Sequence, residues 1–346
     1  MQVKLFLVLS FCAMLFFSCR KDNKPRIMNS ITIKEINVDS SSIRAIVALK
    51  DSTLLFTTSD GFLGLVRDTM ATKLMRIKYD TIVPHFRAMA TNGTNTFILS
   101  IGNPALLYRF KEGESKLVYK EEHEKVFYDA MAFFDEKYGI AMGDPTEECL
   151  SIIITKDGGE TWTKIPCKNL PKVVDGEAAF AASNGNISIV NDHVWVVTGG
   201  KRARVFHSPD RGKKWKVYDT PIIQGGKMTG IFSVDFFDEK NGIIFGGDWE
   251  NKDNQFSNKA ITKDGGKTWQ LVADGQYPGY RSAVQYVPNS FGKELFAVGS
   301  TGISYSNDGG LSWRKVSNDG YYTIRFVNRN MAWLAGNNKI GKLILE

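Results

Sequence analysis

Short apolar runs recur along this chain with a regular spacing. Each unit begins with small and apolar residues, continues through a polar turn, and enters a second apolar run that ends in glycine. Seven unit starts are recognisable, at residues 42–47, 85–90, 127–132, 177–181, 231–234, 280–284 and 321–324. No long amphipathic helical segment lies between them. The pattern therefore predicts many short strands and argues against an α/β fold.

The spacing of the units indicates the architecture. Intervals of roughly 40 to 56 residues are typical of four-stranded sheets arranged as the blades of a β-propeller. We therefore predict an all-β, seven-bladed β-propeller of four-stranded antiparallel blades, spanning residues 31–346. The last unit has only three evident strands, and a strand-like run at residues 31–38 precedes the first unit. We expect this N-terminal strand to join the last blade and close the ring, which removes open sheet edges.

A turn motif recurs in four of the units. Its first copy is Thr155-Lys156-Asp157-Gly158-Gly159-Glu160-Thr161-Trp162, and the others begin at Ser208, Thr262 and Ser306. An aspartate accepts backbone N–H groups in such a turn, glycine supplies positive φ, and tryptophan gives an apolar body to bury. The motif resembles the signature of the BNR/Asp-box family of β-propellers, from which the second copy departs at Lys214. We interpret the four motifs as structural hairpins rather than as a functional site.

A closer resemblance extends over nearly the whole chain after its N-terminal segment. Residues 127–145, 177–183 and 230–248, together with the turn motifs, are similar to the photosystem II assembly- and stability-factor group of propellers and its bacterial relatives. The resemblance implies a binding or assembly factor rather than a catalyst, and no photosynthetic host is required.

The N-terminus has the features of an export signal. Lys4 precedes an apolar and small-residue run at residues 5–17, which is shorter than the about 20 apolar residues that span a bilayer. The following Ser18-Cys19 resembles a bacterial lipobox. We expect residues 1–18 to be a signal peptide, Cys19 to carry a lipid, and residues 19–30 to form a flexible tether. The alternative is an ordinary signal peptide in which Cys19 is incidental.

These features predict an exported protein of the cell envelope, held on a bacterial membrane by its lipid and facing the periplasm or the surface. Export permits disulfides, and Cys149 and Cys167 flank the first turn motif symmetrically. In an antiparallel hairpin with that register they lie opposite each other. A disulfide and a pair of reduced, buried thiols are both compatible with the sequence.

The formal charge of +7 does not by itself indicate a polyanion partner. The basic residues are scattered, with no basic run after residue 26, so we interpret most of them as solvated blade faces and expect no nucleic-acid partner. The four histidines show no metal-binding spacing. We expect no metal, no cofactor and a monomeric protein.

The predicted inner-strand starts and second-strand ends carry polar residues that would meet on one rim of the ring. The ligand-binding candidates are Arg44, Arg87, Asp129, Asp144, Glu177, Arg202, Arg204, Asp248 and Arg281. One interpretation is a ring of ion pairs that holds the blades in register. The other is a pocket in which arginines bind an anionic group and carboxylates bind hydroxyls.

Two functions follow from this rim. The first is a non-catalytic module that binds an envelope protein or a carbohydrate-like anionic ligand. The second is an exo-glycosidase, because sialidases are Asp-box propellers and the resemblance implies an arginine triad, a Tyr–Glu pair and an acidic Asp. For that alternative the catalytic candidates are Glu177, Asp129, Asp144 and Tyr128, and Tyr322 is the other choice for the tyrosine that pairs with Glu177.

Overall fold

The protein was analysed as a computed structural model, which describes residues 26, 28, 30–49 and 53–346. Cys19, the predicted signal peptide and most of the predicted tether lie outside the described residues. Within them, no helix is long and apolar enough to span a membrane. The helical element recorded in this part of the chain is a single 3-10 turn at Cys167–Asn169.

The described chain folds into seven antiparallel blades arranged in a ring, as the sequence predicts. The strands of blades 1 to 3 are β2 (Ala45–Ala48), β3 (Leu54–Thr57), β4 (Phe62–Arg67) and β5 (Met70–Arg76); β6 (Phe86–Thr91), β7 (Thr96–Ser100), β8 (Ala105–Lys111) and β9 (Glu114–Glu121); and β10 (Tyr128–Phe133), β11 (Gly139–Gly143), β12 (Ser151–Thr155) and β13 (Thr163–Lys164). Those of blades 4 to 6 are β15 (Ile187–Val190), β16 (His193–Val197), β18 (Arg204–Ser208) and β19 (Lys216–Asp219); β20 (Thr229–Phe236), β21 (Gly242–Asp248), β22 (Lys259–Thr262) and β23 (Gln270–Leu271); and β24 (Ala283–Tyr286), β25 (Leu295–Gly299), β26 (Gly302–Ser306) and β27 (Arg314–Ser317). Blade 7 contains β28 (Thr323–Asn328), β29 (Met331–Ala335), β30 (Asn337–Leu345) and β1 (Ile31–Ser42).

The first strand of each four-stranded blade lines the axis of the ring. The common direction of these inner strands defines two faces of the ring. The face where the inner strands begin is called the mouth face. The opposite face, where the turns between the third and fourth strands lie, is called the box face, because it carries the four turn motifs. The turns between the first and second strands also lie on the box face. Each motif forms a backbone hydrogen bond with the first-to-second-strand turn of its own blade; in blade 5 the Gly265 N–H donates to the Lys240 carbonyl at 2.9 Å.

The hydrophobic core is distributed between neighbouring blades rather than gathered at the axis. Each apolar cluster contains side chains from two adjacent sheets, so that every blade buries both of its faces. Blade 7 meets blade 1 in the same way, with the fully buried Trp333 beside Phe56 and Ile46. At this interface, too, apolar burial holds neighbouring blades together.

The N-terminal strand occupies the outer position of the last blade. β1 pairs antiparallel with β30, from Ile31 opposite Leu345 to Asn37 opposite Lys339. All three described residues of the predicted tether also contact the ring, and the Ser30 hydroxyl donates to the Glu346 carboxylate at 2.8 Å. Met28 is buried in the cluster between blades 6 and 7, and the Arg26 guanidinium lies 2.8 Å from the buried Glu294 carboxylate. The segment that precedes β1 therefore meets the ring on the box face.

The turn motifs form the side-chain hydrogen bonds that their residue types predict. In the first copy the Thr155 hydroxyl donates to Asp157 at 2.8 Å, and the Thr161 hydroxyl donates to the second carboxylate oxygen at 2.6 Å. The second copy keeps the backbone bond from Lys214 to Asp210 but lacks that hydroxyl. Its lysine side chain is therefore not tied into the turn and extends from the box face.

Two details differ from the sequence-based expectations. The unit start predicted at residues 177–181 is wrong: Glu177 lies in the short β14 (Glu177–Ala178), which pairs with β17 (Gly199–Gly200) and extends the sheet of blade 5, whereas the inner strand of blade 4 is β15. The hairpin register also differs by one residue, since Ile153 pairs with Lys164. Cys149 and Cys167 are nevertheless disulfide-bonded, with Cα atoms 5.6 Å apart, just beyond the ends of the paired strands.

Candidate functional site

Residues 179–186 run through the axial channel and are here called the plug. They connect β14 to β15 and consist mainly of alanine, serine, asparagine and glycine. Such small side chains fit a channel that the seven inner strands leave narrow. Ser183 and Asn186 are fully buried, although the segment has no regular secondary structure. A buried irregular segment must satisfy its backbone polar groups through its neighbours.

The plug does so by bonding to the other blades. The Asn184 side-chain amide donates to the Met89 carbonyl and its oxygen accepts from the Met131 N–H, both at 2.8 Å. The Ser183 hydroxyl donates to the Ser282 carbonyl at 2.7 Å. Further bonds to the plug come from Arg44, Arg87, Val234, Thr323 and Arg325. The plug therefore contacts every blade besides its own, and it separates the mouth of the channel from the cavity of about 340 Å³ on the box side.

Two arginines meet above the plug at the mouth face. Arg87 is the bulged residue between β6 and β7, and a β-bulge re-aims a side chain out of the regular ladder. Arg44 directly precedes β2. Their guanidiniums donate to the carbonyls of Ala181 and Ala182 at 3.5 and 3.2 Å. The Arg44 guanidinium also lies 4.1 Å from the centre of the Tyr322 ring.

The guanidinium cation of Arg44 lies close enough to that of Arg87 to affect its pKa. Burial and the neighbouring Arg44 together lower the pKa of Arg87 to about 10, while the nearby Asp129 acts in the opposite direction. Burial and the two guanidiniums lower the pKa of His85 to about 4, so that this imidazole is neutral and accepts from the Arg87 Nε at 3.1 Å. Neither Arg44 nor Arg87 forms an ion pair with any carboxylate that the structure describes. Both stay charged at neutral pH and are half-buried, which is the arrangement that binds anions.

The nearest acids form no ion pair with these arginines among the described residues. Asp129 is the bulged residue of β10, in the position that Arg87 takes in blade 2, and it is fully buried. Burial and the adjacent Asp144 raise the pKa of Asp129 well above its usual range. Burial likewise raises the pKa of Asp144 to about 6, although this carboxylate accepts from the Ala179 N–H at 2.7 Å. Burial therefore favours the protonated form of Asp129.

An aromatic cluster adjoins the arginines. Phe180, in the plug, stacks on Phe232 with ring centres 4.0 Å apart, and Tyr280 meets Phe232 edge to face at 4.7 Å. Ala182, whose carbonyl accepts from Arg44, belongs to the same cluster. The mouth thus combines two unpaired guanidiniums with an apolar floor, as binding pockets commonly do.

Glu177 and Arg204 form a closed pair beside this mouth. The Arg204 Nε donates to the Glu177 Oε1 at 2.9 Å and its Nη2 donates to Oε2 at 2.5 Å. The Thr198 hydroxyl and the Val174 N–H complete the partners of the carboxylate. The Glu177 side chain is fully buried. This bidentate pair ties β14 to blade 4 and leaves no free oxygen for chemistry.

Tyr128 belongs to a different cluster. Its hydroxyl and that of Tyr119 each donate to Glu121 at 2.7 Å, and the Lys164 ammonium donates to the other carboxylate oxygen. The group links the outer strand of blade 2 to blade 3. Tyr128 and Glu177, which the glycosidase alternative pairs, are therefore committed to separate partners.

The remaining predicted site residues lie apart from the arginines. The buried Arg281 bonds to Ser304, Thr301 and Tyr277 inside blade 6, without a carboxylate partner among the described residues. Asp248 accepts from the backbone of the turn that follows it. Arg202 is exposed. Of the predicted rim, the structure brings together Arg44, Arg87, Asp129 and Asp144.

Sequence reasoning missed the plug and His85. A signal for His85 was present, because it lies two residues before Arg87 at the start of a predicted inner strand. The sequence signal for the plug is weaker: an alanine-rich run followed by Ser-Asn-Gly-Asn lacks the alternation of apolar and polar residues that is typical of a strand.

The fold and the filled channel define a seven-bladed β-propeller with an arginine- and aromatic-lined mouth. No family model matches the chain, and no curated protein matches it in sequence. Among solved structures, one described as YCF48 bound to D1 peptide is similar with a TM-score of 0.66 and 12% identity, covering 93% of this chain and 97% of that one.

Two further solved structures share the fold. YCF48 from Cyanidioschyzon merolae has a TM-score of 0.59 and 14% identity over 90% of this chain and 98% of its own. A catalytically inactive virginiamycin B lyase from Staphylococcus aureus with quinupristin has a TM-score of 0.60 and 12% identity over 92% of this chain and 100% of its own. The structural similarity establishes the propeller fold. Because the sequence identities are this low, the function has to be argued from the site.

Proposed function

We propose that this protein is a non-catalytic binding module whose mouth face holds an anionic group of an envelope protein or of a carbohydrate-like ligand. The observation that carries the proposal is the pair of half-buried guanidiniums of Arg44 and Arg87, which lie close together without an ion pair to any carboxylate in the described chain. An incoming carboxylate relieves the repulsion between them and gains charge-assisted hydrogen bonds.

The neighbouring aromatic rings favour a protein partner. The half-buried Phe180, backed by the buried Phe232 and Tyr280, offers an apolar contact next to the arginines, where a peptide places a side chain while its carboxylate meets the guanidiniums. One solved propeller of similar fold is described as bound to a peptide, which supports the same kind of ligand here. The prediction of an acidic peptide segment follows from the charge of the mouth.

The experiment is a titration of the protein with two labelled peptides of equal length, followed by fluorescence anisotropy. One peptide is rich in Asp and Glu and ends in a free carboxylate; the other carries Asn and Gln and ends in an amide. We expect Arg44→Gln and Arg87→Gln each to weaken binding of the acidic peptide about tenfold, the loss of one charge-assisted bond. An acidic oligosaccharide serves as competitor, to compare a glycan with a peptide at the same site.

Arg202→Gln is the matched control, because this arginine is exposed and is not one of the two that donate to the carbonyls of the plug. Equal binding of the two peptides would contradict the proposal. So would a loss on Arg202→Gln as large as that on Arg87→Gln.

Export and lipid anchoring remain part of the proposal and rest on the sequence of residues 1–19. We expect Cys19→Ala to move the protein from the membrane fraction to the soluble fraction. Unchanged membrane partitioning of that variant would contradict the lipid anchor.

The contacts of Glu177 and Tyr128 speak against the glycosidase alternative. Both oxygens of Glu177 are occupied by Arg204 and other donors, and Tyr128 bonds to Glu121. A panel of glycoside substrates tests it directly. Turnover by the wild type that Glu177→Gln abolishes would favour a hydrolase.

A further inference from the structure

The box face carries a cluster of exposed apolar side chains on blades 5 and 6. Phe237, Phe291 and Leu311 are 39%, 56% and 57% exposed. They lie in turns that touch one another: a Cβ added at Gly292 would meet the Phe237 ring at 3.1 Å, and the Gly309 N–H donates to the Lys293 carbonyl at 2.9 Å. Single exposed apolar residues are ordinary, but a cluster on one face marks a contact surface.

Phe291 is unusual in its backbone as well as its exposure. Its φ is 54°, in the left-handed region that glycine and asparagine adopt readily and that bulky side chains avoid. A phenylalanine that is exposed and also unfavourable in its own turn contributes little to folding. Its presence therefore points to a role outside the folded chain.

Lysines lie in the turns of the same two blades. Lys240, Lys263, Lys267 and Lys293 occupy the box-face turns of blades 5 and 6, and all four are exposed. The acids among them are Asp238, Glu239, Asp264 and Asp308. Three of these carboxylates, all but that of Glu239, accept hydrogen bonds from their own turns, as Asp264 does from Thr268 at 2.7 Å. The lysine side chains are long and flexible, so their ammonium groups extend past these short carboxylates.

The N-terminal segment reaches the ring at the same place. Arg26 contacts Glu294, the residue after Lys293, and also donates to the Arg329 carbonyl at 2.6 Å. Six residues lie between Arg26 and the predicted lipid site at Cys19, which makes seven Cα-to-Cα steps. A fully extended chain of that length spans about 25 Å, so an acylated Cys19 would hold this region of the box face close to the bilayer.

We propose that the box face of blades 5 and 6 is a membrane-contact surface for anionic phospholipids. Phe291, Leu311 and Phe237 enter the interfacial region of the bilayer, and the lysines contact the headgroup phosphates. The mouth face, on the opposite side of the ring, is then directed away from the membrane toward the partner. Only this orientation rests on the proposed anchor and mouth site; the vesicle experiment below needs neither.

The test uses the chain from residue 19 with Cys19→Ala, which carries no lipid. Its partitioning is measured by co-sedimentation with phosphatidylcholine vesicles that do or do not contain one quarter phosphatidylglycerol. We expect binding to the anionic vesicles, reduced by added salt. Phe291→Ser combined with Leu311→Ser lowers it about tenfold, because two apolar side chains no longer enter the interface. Lys263→Gln combined with Lys267→Gln reduces binding to the anionic vesicles.

Phe256→Ser combined with Val174→Ser is the matched control. These residues are 64% and 37% exposed and lie on the mouth face, so the change leaves vesicle binding as it was. A fluorophore attached through Phe291→Cys shifts to shorter wavelength on vesicle addition, whereas one attached through Phe256→Cys does not. This second readout holds even if a serine variant is less stable.

Three results would overturn the proposal. One is the absence of binding to anionic vesicles. Another is binding that the Phe291 and Leu311 changes leave unaltered. The third is a dimer of the wild type that dissociates in the same double variant, which would make the cluster a protein contact instead.

Discussion

Asn184 is the side chain through which the plug can be tested most sharply. Its amide bridges two inner strands, since it donates to the Met89 carbonyl and accepts from the Met131 N–H at 2.8 Å each. Asn184→Ala removes both bonds while keeping a small side chain. Met89 and Met131 are 1% and 2% exposed, so water does not readily replace the lost partner.

The cost follows from these contacts. A buried donor or acceptor left without a partner destabilises a protein by about 1–3 kcal/mol, so two such groups amount to about 2–4 kcal/mol when partial relaxation is allowed. Asn184 also has φ 54°, where replacing asparagine by alanine adds about 1 kcal/mol of backbone cost. The free energy of unfolding should therefore fall by about 3–5 kcal/mol in total.

Equilibrium urea denaturation followed by tryptophan fluorescence measures the change. Asn289→Ala is the matched control, because Asn289 has φ 58° and is exposed, with no side-chain hydrogen bond recorded in the structure. It isolates the backbone cost. A decrease in Asn184→Ala no larger than that in Asn289→Ala would refute the view that the plug is bonded across the ring.

Further predictions concern pH, the disulfide and the N-terminal strand. Burial raises the pKa of Asp235, beside the channel cavity, from 3.8 to about 7, so the native state holds a proton that the unfolded chain releases. The free energy of unfolding should fall as pH rises from about 4 to about 7, and Asp235→Asn should flatten that fall in urea titrations; an unchanged slope would contradict it. Replacing both Cys149 and Cys167 by alanine should lower the free energy of unfolding by about 3 kcal/mol, because the unfolded chain gains entropy, and thermal unfolding measures this loss. A mass of the wild-type protein that reductant leaves unchanged would contradict the disulfide. Deleting residues 31–38 should lower the melting temperature sharply in calorimetry because blade 7 loses its outer strand, whereas deleting residues 20–25 should not.

The repeat pattern allowed most of the fold to be predicted. Six of the seven inner strands lie where apolar runs follow a recurrent start, and the turn motifs mark the outer hairpins of four blades. The exception was the unit at residues 177–181. Its alanines and Phe180 have strand-like composition, yet the following Ser183-Asn184-Gly185-Asn186 favours an irregular path. The deciding factor is the space at the axis, which no local pattern reveals.

The site was harder to predict because charge pairing depends on contacts between distant blades. Arg44 precedes an inner strand and Arg204 begins a third strand, and both are predicted to lie on the rim, but only Arg204 meets a carboxylate. Glu177 looks like a candidate acid until its contacts with Arg204 are known. The resemblance to assembly-factor propellers agrees with the propeller fold that the solved structures share.

The central claim is that Arg44 and Arg87 bind an anionic group at the channel mouth. A crystal structure of the protein with the acidic peptide tests it most directly. We expect a carboxylate of the peptide within hydrogen-bonding distance of both guanidiniums, with an adjacent side chain on the Phe180–Phe232 stack. A peptide bound on the box face or at the outer rim of the blades, with the two arginines unoccupied, would contradict it.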